Sequence, residues 1–310
     1  MTNSLIADRA MARNIELSPD GQQRLTMDVA GTTRWFNGAK SNLNTALARR
    51  CALHKDVTSR MLRSYKLNAP ENAVFSPGES ERAWAWAQPI LPLVVKPNSG
   101  GFGEAVYLDI KDKESFDAAF EAVSQVAREV LVEQFLQGEE HRVLMVYGKV
   151  AAAARRMPAH VIGDGRSSVA TLIEAKNRER VRSENPTHFE LLADEVTVLE
   201  LRRQELSLGS VVDEGAYVWL RSNSNVHSGG DGVDATDELL PAEIEMAERS
   251  MRAIPGLRLA GLDMLLPRNG KGTEPYILEI NSSPQISGHH FPWYGQERDV
   301  AGLLLDSMFK

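Results

Sequence analysis

The sequence predicts an α+β fold built as two lobes. Three observations carry this expectation. At 310 residues the chain is long enough for two lobes and a sizeable core. The strand Leu91-Pro92-Leu93-Val94-Val95-Lys96 runs through a glycine-rich loop, residues 97–104, into a second strand at 105–110. Near the C-terminus two apolar strands flank Pro267-Arg268-Asn269-Gly270-Lys271-Gly272, whose Asn-Gly step is a strong hairpin signal.

In chain order, residues 4–13 read as a short helix, 15–17 as a strand and 19–21 as a turn. Alternation over 24–29 and 32–36 predicts a small sheet. A helix over 42–54, capped by Ser41 or Asn42, precedes a second over 56–66 with Lys55 at its entrance. A short helix follows at 80–87. Phe116, Phe120, Val123, Ala127 and Val130 recur at helical spacing, which predicts an amphipathic helix over 115–130 packed on the lysine strands. Residues 131–136 read as a strand, and 141–147 with 149–156 as a hairpin turning at Gly148. Between 157 and 225 the pattern predicts a turn at 163–165, a helix at 169–182, a polar break at 183–187 and a further helix. A strand at 217–221 opens into Ser222-Asn223-Ser224-Asn225, and helices are expected at 241–254 and 300–309.

The C-terminal hairpin holds the clearest chemistry. In Tyr276-Ile277-Leu278-Glu279-Ile280-Asn281, strict alternation puts Ile277, Glu279 and Asn281 on one face. Glu279 and Asn281 would then lie about 7 Å apart. Closing the hairpin would bring Asp263 beside Glu279. Three oxygen donors on adjacent strands suit a hard cation such as Mg²⁺ or Mn²⁺. The glycine loop joins two antiparallel strands, so it can lay backbone N–H groups on phosphate oxygens as a nest does. It differs from a Walker loop, which runs from a strand into a helix.

Composition narrows the field. Apolar residues make up 43% and charged residues 25%, ordinary for a globular protein. A net charge of −7 argues against a nucleic-acid partner, whose phosphates need a basic track. Cys51 is the single cysteine, so no internal disulfide forms and a cytoplasmic setting is expected. It reads as a small core residue. The opening residues lack a signal-peptide pattern, and no apolar run is long enough to span a membrane.

Lys55, Lys96, the glycine loop, the segment from Glu133 to Glu140 and the acid hairpin follow one another in a fixed order. With Arg156-Met157-Pro158-Ala159-His160-Val161-Ile162-Gly163-Asp164-Gly165 and Leu220-Arg221-Ser222-Asn223-Ser224-Asn225, they resemble the ATP-grasp superfamily of carboxylate–amine ligases. The likeness is greatest to the ATP-grasp modules of bifunctional glutathione-synthesising enzymes and cyanophycin synthetases, and runs from about Lys40 to the C-terminus. It implies an ATP-grasp fold in which two α+β lobes clasp ATP after a shortened N-terminal region. The divisions it implies are 1–54, 55–136 with the lysine strands and flap, and 137–310 with the metal and substrate site.

The resemblance assigns roles residue by residue. Lys55 and Lys96 would meet the ATP phosphates, and Ser99, Gly100, Gly101 and Gly103 would form the flap over them. Glu133, Gln134 and Leu136 match the stretch that binds adenine, and Glu140 the acid that takes the ribose hydroxyls. Asp263, Glu279 and Asn281 would hold two Mg²⁺ ions. Arg156 and Arg221 become candidates for the substrate carboxylate and acyl-phosphate oxygens, with a structural ion pair as the competing use of either. Asn223, Asn225, Gly229 and His160 would shape the substrate end, although His160 reads more readily as a structural histidine. His289 and His290 read as a pocket wall, on the expectation that they are strand neighbours.

Two departures stand out. Many members carry an arginine two positions before the first metal acid, where this chain has Gly261. Fewer residues than usual precede Lys55, which leaves the second substrate to be held either by the 157–225 insertion or by a second subunit, a homodimer being the cheaper expectation. The implied activity is ATP-dependent amide or peptide bond formation on an amino acid or short peptide. A phosphotransferase and a non-catalytic nucleotide-binding protein are the alternatives. No Ser-His-Asp or Cys-His arrangement competes for the chemistry.

Overall fold

The computed structural model describes residues 1–22, 24–100, 105–224 and 226–309. The chain divides into two compact units. The first comprises Met1–Ala153, Asp237–Ile286 and Val300–Lys310; the second comprises Ala154–Thr236 and Ser287–Asp299.

In the first unit, the helix Thr2–Met11 packs on the closing helix Val300–Met308. Just beyond it, Arg13 Nε donates to Asp306 Oδ1 at 2.8 Å. The predicted small sheet forms from Ser18–Pro19, Leu25–Val29, Thr32–Asn37 and Lys40–Ser41, in that order. The strand expected at 15–17 is displaced to the two-residue pairing at Ser18–Pro19. The next helix also starts later than predicted, at Ala46, with Thr45 as its cap accepting the Ala48 N–H at 3.1 Å. Asn44 has other work. Its buried amide accepts the N–H groups of Arg258 and Leu259 at 2.7 and 3.0 Å. It donates to the carbonyls of Leu259 and Ser282 at 2.7 and 2.8 Å.

The lysine strands sit in a four-stranded antiparallel sheet ordered Asn72–Phe75, Val130–Gln134, Leu93–Pro97, Tyr107–Ile110. Phe116, Phe120 and Val123 of the helix Lys113–Val126 bury against Leu93, Val95, Val130 and Val132, as the helical period predicts. That helix ends before Val130, which is taken into the sheet opposite Phe75 and Pro97.

The acid hairpin belongs to a second antiparallel ladder, in which Leu259–Leu266 lies between Glu139–Val146 and Tyr276–Asn281. At its turn, Asn269 and Gly270 adopt φ of 52° and 77°, the left-handed pair that an Asn-Gly turn requires. One expectation fails here. Asp263 faces Glu279 but Met264 faces Ile277, so Leu278 is an extra, bulged residue. The bulge resets the alternation and lets Ile277 join Ile280 in the core, whereas strict alternation had placed it with Glu279. Cys51 packs partly buried against the same core.

In the second unit, Ala154–Met157 pairs with Asp231–Asp234, and His160–Ile162 with Tyr217–Trp219. The helices Val169–Ser183 and Glu195–Arg203 cover a core of Ala159, Val161, Ile173, Leu201, Val218 and Leu220. His289 and His290 lie on the short helix Ser287–His290 rather than on a strand. Asp231 is wholly buried. Lys176 Nζ donates to it at 2.6 Å and Arg180 Nη2 at 2.5 Å, with His160 Nε2 at 3.7 Å.

His188 Nε2 accepts the Gly232 N–H at 3.1 Å, and burial pushes its pKa from 6.5 down to about 4. Burial lowers His160 as well. Both groups are therefore neutral in the folded chain where the unfolded chain is already taking up protons. The stability this represents is complete above pH 6.5 and is lost as pH falls toward 4. Hydrogen exchange in the second unit, corrected for intrinsic rates, should show weaker protection at pH 5 than at pH 7. His188→Gln should flatten that difference, because glutamine can still accept the Gly232 N–H but cannot charge.

Candidate functional site

The hairpin register sets Asp263 directly across from Glu279, and Gly261 across from Asn281. On the other side of the central strand, Arg142 stands opposite Asp263. Its guanidinium grips that carboxylate with two parallel hydrogen bonds, Nε to Oδ1 at 2.5 Å and Nη2 to Oδ2 at 3.0 Å. Glu279 has a cation of its own, since Lys55 Nζ lies 3.7 Å from its Oε2. Asn281 Oδ1 accepts the Ser283 N–H at 2.8 Å. Among the described residues no three His, Cys, Asp or Glu side chains are grouped to hold a metal. The set here is two carboxylates and an amide, an all-oxygen donor set that fits a hard divalent cation.

Lys55 begins the helix Lys55–Ser64 and is buried, with its Nζ donating to the Gly100 carbonyl at 3.1 Å. The root of the glycine loop is fixed by Asn98, which the sequence reading passed over. Asn98 is buried, and its carbonyl and side-chain oxygens accept the backbone N–H groups of Lys55 and Asp56, each at 3.2 Å. Its side-chain nitrogen donates to Asp56 Oδ1 and Glu129 Oε2 at 2.9 and 2.8 Å. Ser99 beyond it is exposed, and Gly100 has φ of 126°, open to glycine alone at little cost. Gly101 and Gly103 lie outside the described residues.

Lys96 pairs with Glu133 from the neighbouring strand, both nearly buried. Glu133 Oε2 is left buried without a partner. The Gln134 N–H donates to the Glu71 carbonyl at 2.9 Å, so that backbone donor is already engaged. Leu136 is half-buried, and Glu140 stands on the strand opposite Leu265. All the described candidates for phosphate, base, ribose and metal thus belong to the first unit.

The candidates for the acid and amine belong to the second unit. Arg156 is half-buried opposite Gly232. Arg221 is buried, donating to Asp194 Oδ2 at 2.8 Å, to the Leu220 carbonyl at 2.9 Å and to Thr197 Oγ1. Asp194 caps the helix Glu195–Arg203, so this guanidinium steadies a helix N-terminus, the competing use noted from sequence. Asn223 accepts a hydrogen bond from Ser228 Oγ at 3.0 Å, and Asn225 is outside the described residues. Gly229 has φ of 93°, and a Cβ there would meet Leu191 Cδ2 at 2.9 Å. Its carbonyl accepts from Arg180 at 2.9 Å. His160 is buried beside Asp231, Tyr217 and Trp219, with Nδ1 2.8 Å from the Pro158 carbonyl. It is built in as a structural histidine.

Residues 54–287 match the ATP-grasp domain family. The chain is 37% identical over 266 residues to a cyanophycin synthetase of Trichormus variabilis, which covers 83% of this chain and 29% of that protein. It is 30% identical over 310 residues to a glutathione biosynthesis bifunctional protein of Mannheimia succiniciproducens, covering 96% of this chain and 40% of that one. The chain therefore spans well under half the length of these relatives. Among solved structures, a bifunctional glutathione synthetase from Pasteurella multocida superposes with a TM-score of 0.73 at 24% identity, over 99% of this chain and 43% of that chain. A D-alanine–D-alanine ligase from Bacillus anthracis shares the fold at a TM-score of 0.51 and 19% identity, over 86% of this chain and 68% of that chain. The chain has the ATP-grasp fold and belongs to the ATP-grasp domain family.

Proposed function

We propose that the chain is an ATP-dependent carboxylate–amine ligase that forms an amide bond through an acyl phosphate. The observation that carries this reading is the convergence on Glu279. One carboxylate, directly across from Asp263, shares Lys55 with the carbonyl of Gly100 at the start of the glycine loop. Lys55, the Gly100 root of the glycine loop and the two acids all belong to the first unit, which supports reading them as phosphate cation, flap root and metal acids. The names of the relatives, synthetases of cyanophycin and glutathione, support an amino acid or short peptide as substrate.

In this mechanism a carboxylate oxygen attacks the γ-phosphorus of ATP, the bond to the β–γ bridging oxygen breaks, and ADP leaves. An amine lone pair then attacks the acyl carbon, phosphate departs with the C–O electrons, and the nitrogen gives up a proton. Lys55 and Lys96 bind phosphate oxygens, and Glu133 keeps Lys96 extended until they arrive. Asp263, Glu279 and Asn281 would hold Mg²⁺ or Mn²⁺, which neutralises charge on the transferring phosphoryl oxygens when bound. Arg156 orients the substrate carboxylate. Arg221, Asn223 and Gly229 support the second unit around that point. This chain contributes placement and charge, with no side-chain nucleophile. A homodimer belongs to the same reading on the general frequency of two-fold assemblies, and a solution mass would test it. A cytoplasmic setting rests on the single cysteine.

Incubating the chain with ATP, Mg²⁺ and paired amino acids or short peptides should release ADP and phosphate. Hydroxylamine, in place of an amine, should trap the activated carboxylate as a hydroxamate; release of AMP and pyrophosphate would overturn the mechanism. Glu279→Ala and Asn281→Ala should each cut kcat by at least about 100-fold, since charge neutralisation counts most in the transition state. Near-normal turnover of either variant at saturating Mg²⁺ would remove the metal assignment.

Lys96→Ala should weaken ATP binding at least about tenfold by calorimetry. Lys96→Arg should restore little of it, because a guanidinium fork does not fit the place of a compact ammonium packed against Glu133. Unchanged ATP affinity in Lys96→Ala would refute its phosphate role.

A further inference from the structure

Position 261 is glycine for a reason the structure makes plain. A Cβ built on Gly261 would lie 2.9 Å from Arg142 Cδ, 3.1 Å from Arg142 Nη1 and 3.1 Å from Pro284 Cβ. The aliphatic stem of Arg142 thus lies over Gly261 on its way to Asp263, two residues further along the same strand and on the same face. Both partners of the resulting fork are only 14% exposed, so water competes little for it. Glu279, straight across the hairpin, is met by Lys55. Two carboxylates and two cations therefore form a charge-balanced quartet on three strands and one helix end.

We propose that Arg142 is a positioning residue for Asp263, and that Gly261 is the slot that lets it reach. The proposal rests on the assignment of Asp263 and Glu279 as metal acids. A guanidinium fork fixes both oxygens of the carboxylate in one plane. This is a task of geometry more than of charge, because a positive group so close opposes the approach of a divalent ion. Charge and geometry can therefore be separated by substitution.

Arg142→Ala removes both. It should leave the acid pair more negative, so that Mn²⁺ binds the nucleotide-free protein several-fold more tightly by titration of the free-ion spectrum. Turnover should nevertheless fall about 100-fold, the scale of a catalytic group displaced by about 1 Å. Arg142→Lys returns the charge without the fork, and should bring Mn²⁺ affinity back to the parent value while leaving kcat low. A purely structural role would not produce that split.

The slot is tested by coupling. Gly261→Ala should push the guanidinium aside, shifting Mn²⁺ affinity in the same direction as Arg142→Ala. In the Arg142→Ala background, Gly261→Ala should leave Mn²⁺ affinity unchanged, because only the contact with Pro284 Cβ then remains. A full effect of Gly261→Ala in that background would overturn the proposal, as would Arg142→Ala with unaltered Mn²⁺ affinity. These binding measurements need no turnover. A parent that binds Mn²⁺ with the expected coupling but never releases ADP would sink the ligase reading and leave the positioning role standing.

Discussion

Two carboxylates set directly opposite each other on neighbouring strands repel, and much of the first unit is arranged around that fact. Charges about 4 Å apart interact by roughly 4 kcal/mol at an effective dielectric constant of about 20. Like charges across a strand pair are accordingly destabilising. Asp263 and Glu279 occupy such a pair, and the fold brings a cation to each from a different element. Arg142 comes from the adjacent strand and Lys55 from the first residue of a helix. Lys55 is placed by Asn98, whose side chain satisfies the backbone of that helix start while its own backbone roots the glycine loop. Neutralising the acid pair therefore also fixes where the loop begins.

The second unit solves a similar problem differently. Asp231 is buried with Lys176 and Arg180 hydrogen-bonded to it and two neutral histidines nearby. Breaking such a buried group costs far more than a surface pair contributes, because the partner left behind keeps its desolvation penalty. Arg221 is held to Asp194 and Thr197 in the same spirit. The chemistry proposed for the acid hairpin needs charges that can be exchanged for ligand. These internal pairs are closed to exchange.

What the sequence made legible follows from range. The Asn-Gly turn, the facing of Asp263 and Glu279, and the helical stripe of Phe116, Phe120 and Val123 are local patterns with a fixed period, and all appear in the fold. The bulge at Leu278 is a single-residue insertion that leaves composition untouched, so strict alternation misplaced Ile277. Asn44 and Asn98 act on groups far off in the chain: Asn44 bonds Leu259 and Ser282, and Asn98 bonds Asp56 and Glu129. No periodicity marks such residues. The one available hint was an asparagine between Lys96-Pro97 and Ser99-Gly100, too polar to be buried there without dedicated partners. Arg221 shows a further case, in which a residue named by a motif match also bonds the cap residue Asp194 and Thr197, a use that the motif does not mark.

The pairing of Lys96 with Glu133 bears on how buried charge is held between neighbouring strands. A buried lysine with no counter-charge would favour its neutral form and lose its use as a phosphate anchor. Glu133 supplies that charge from the neighbouring strand and keeps the ammonium in place. Its other oxygen is buried without a partner, an imbalance of the kind folded proteins keep rare. An unsatisfied oxygen of this sort contributes less stability than a complete network would. In the proposed reading, phosphate oxygens arriving at Lys96 would displace an incomplete partner instead of a complete one, which would lower the cost of opening the pair. Lys55 is similarly divided, between the Gly100 carbonyl and a Glu279 oxygen 3.7 Å away. Both lysines are thus held in place by partners that a ligand can displace. That balance is what separates the acid hairpin and its lysines from the closed ion network around Asp231.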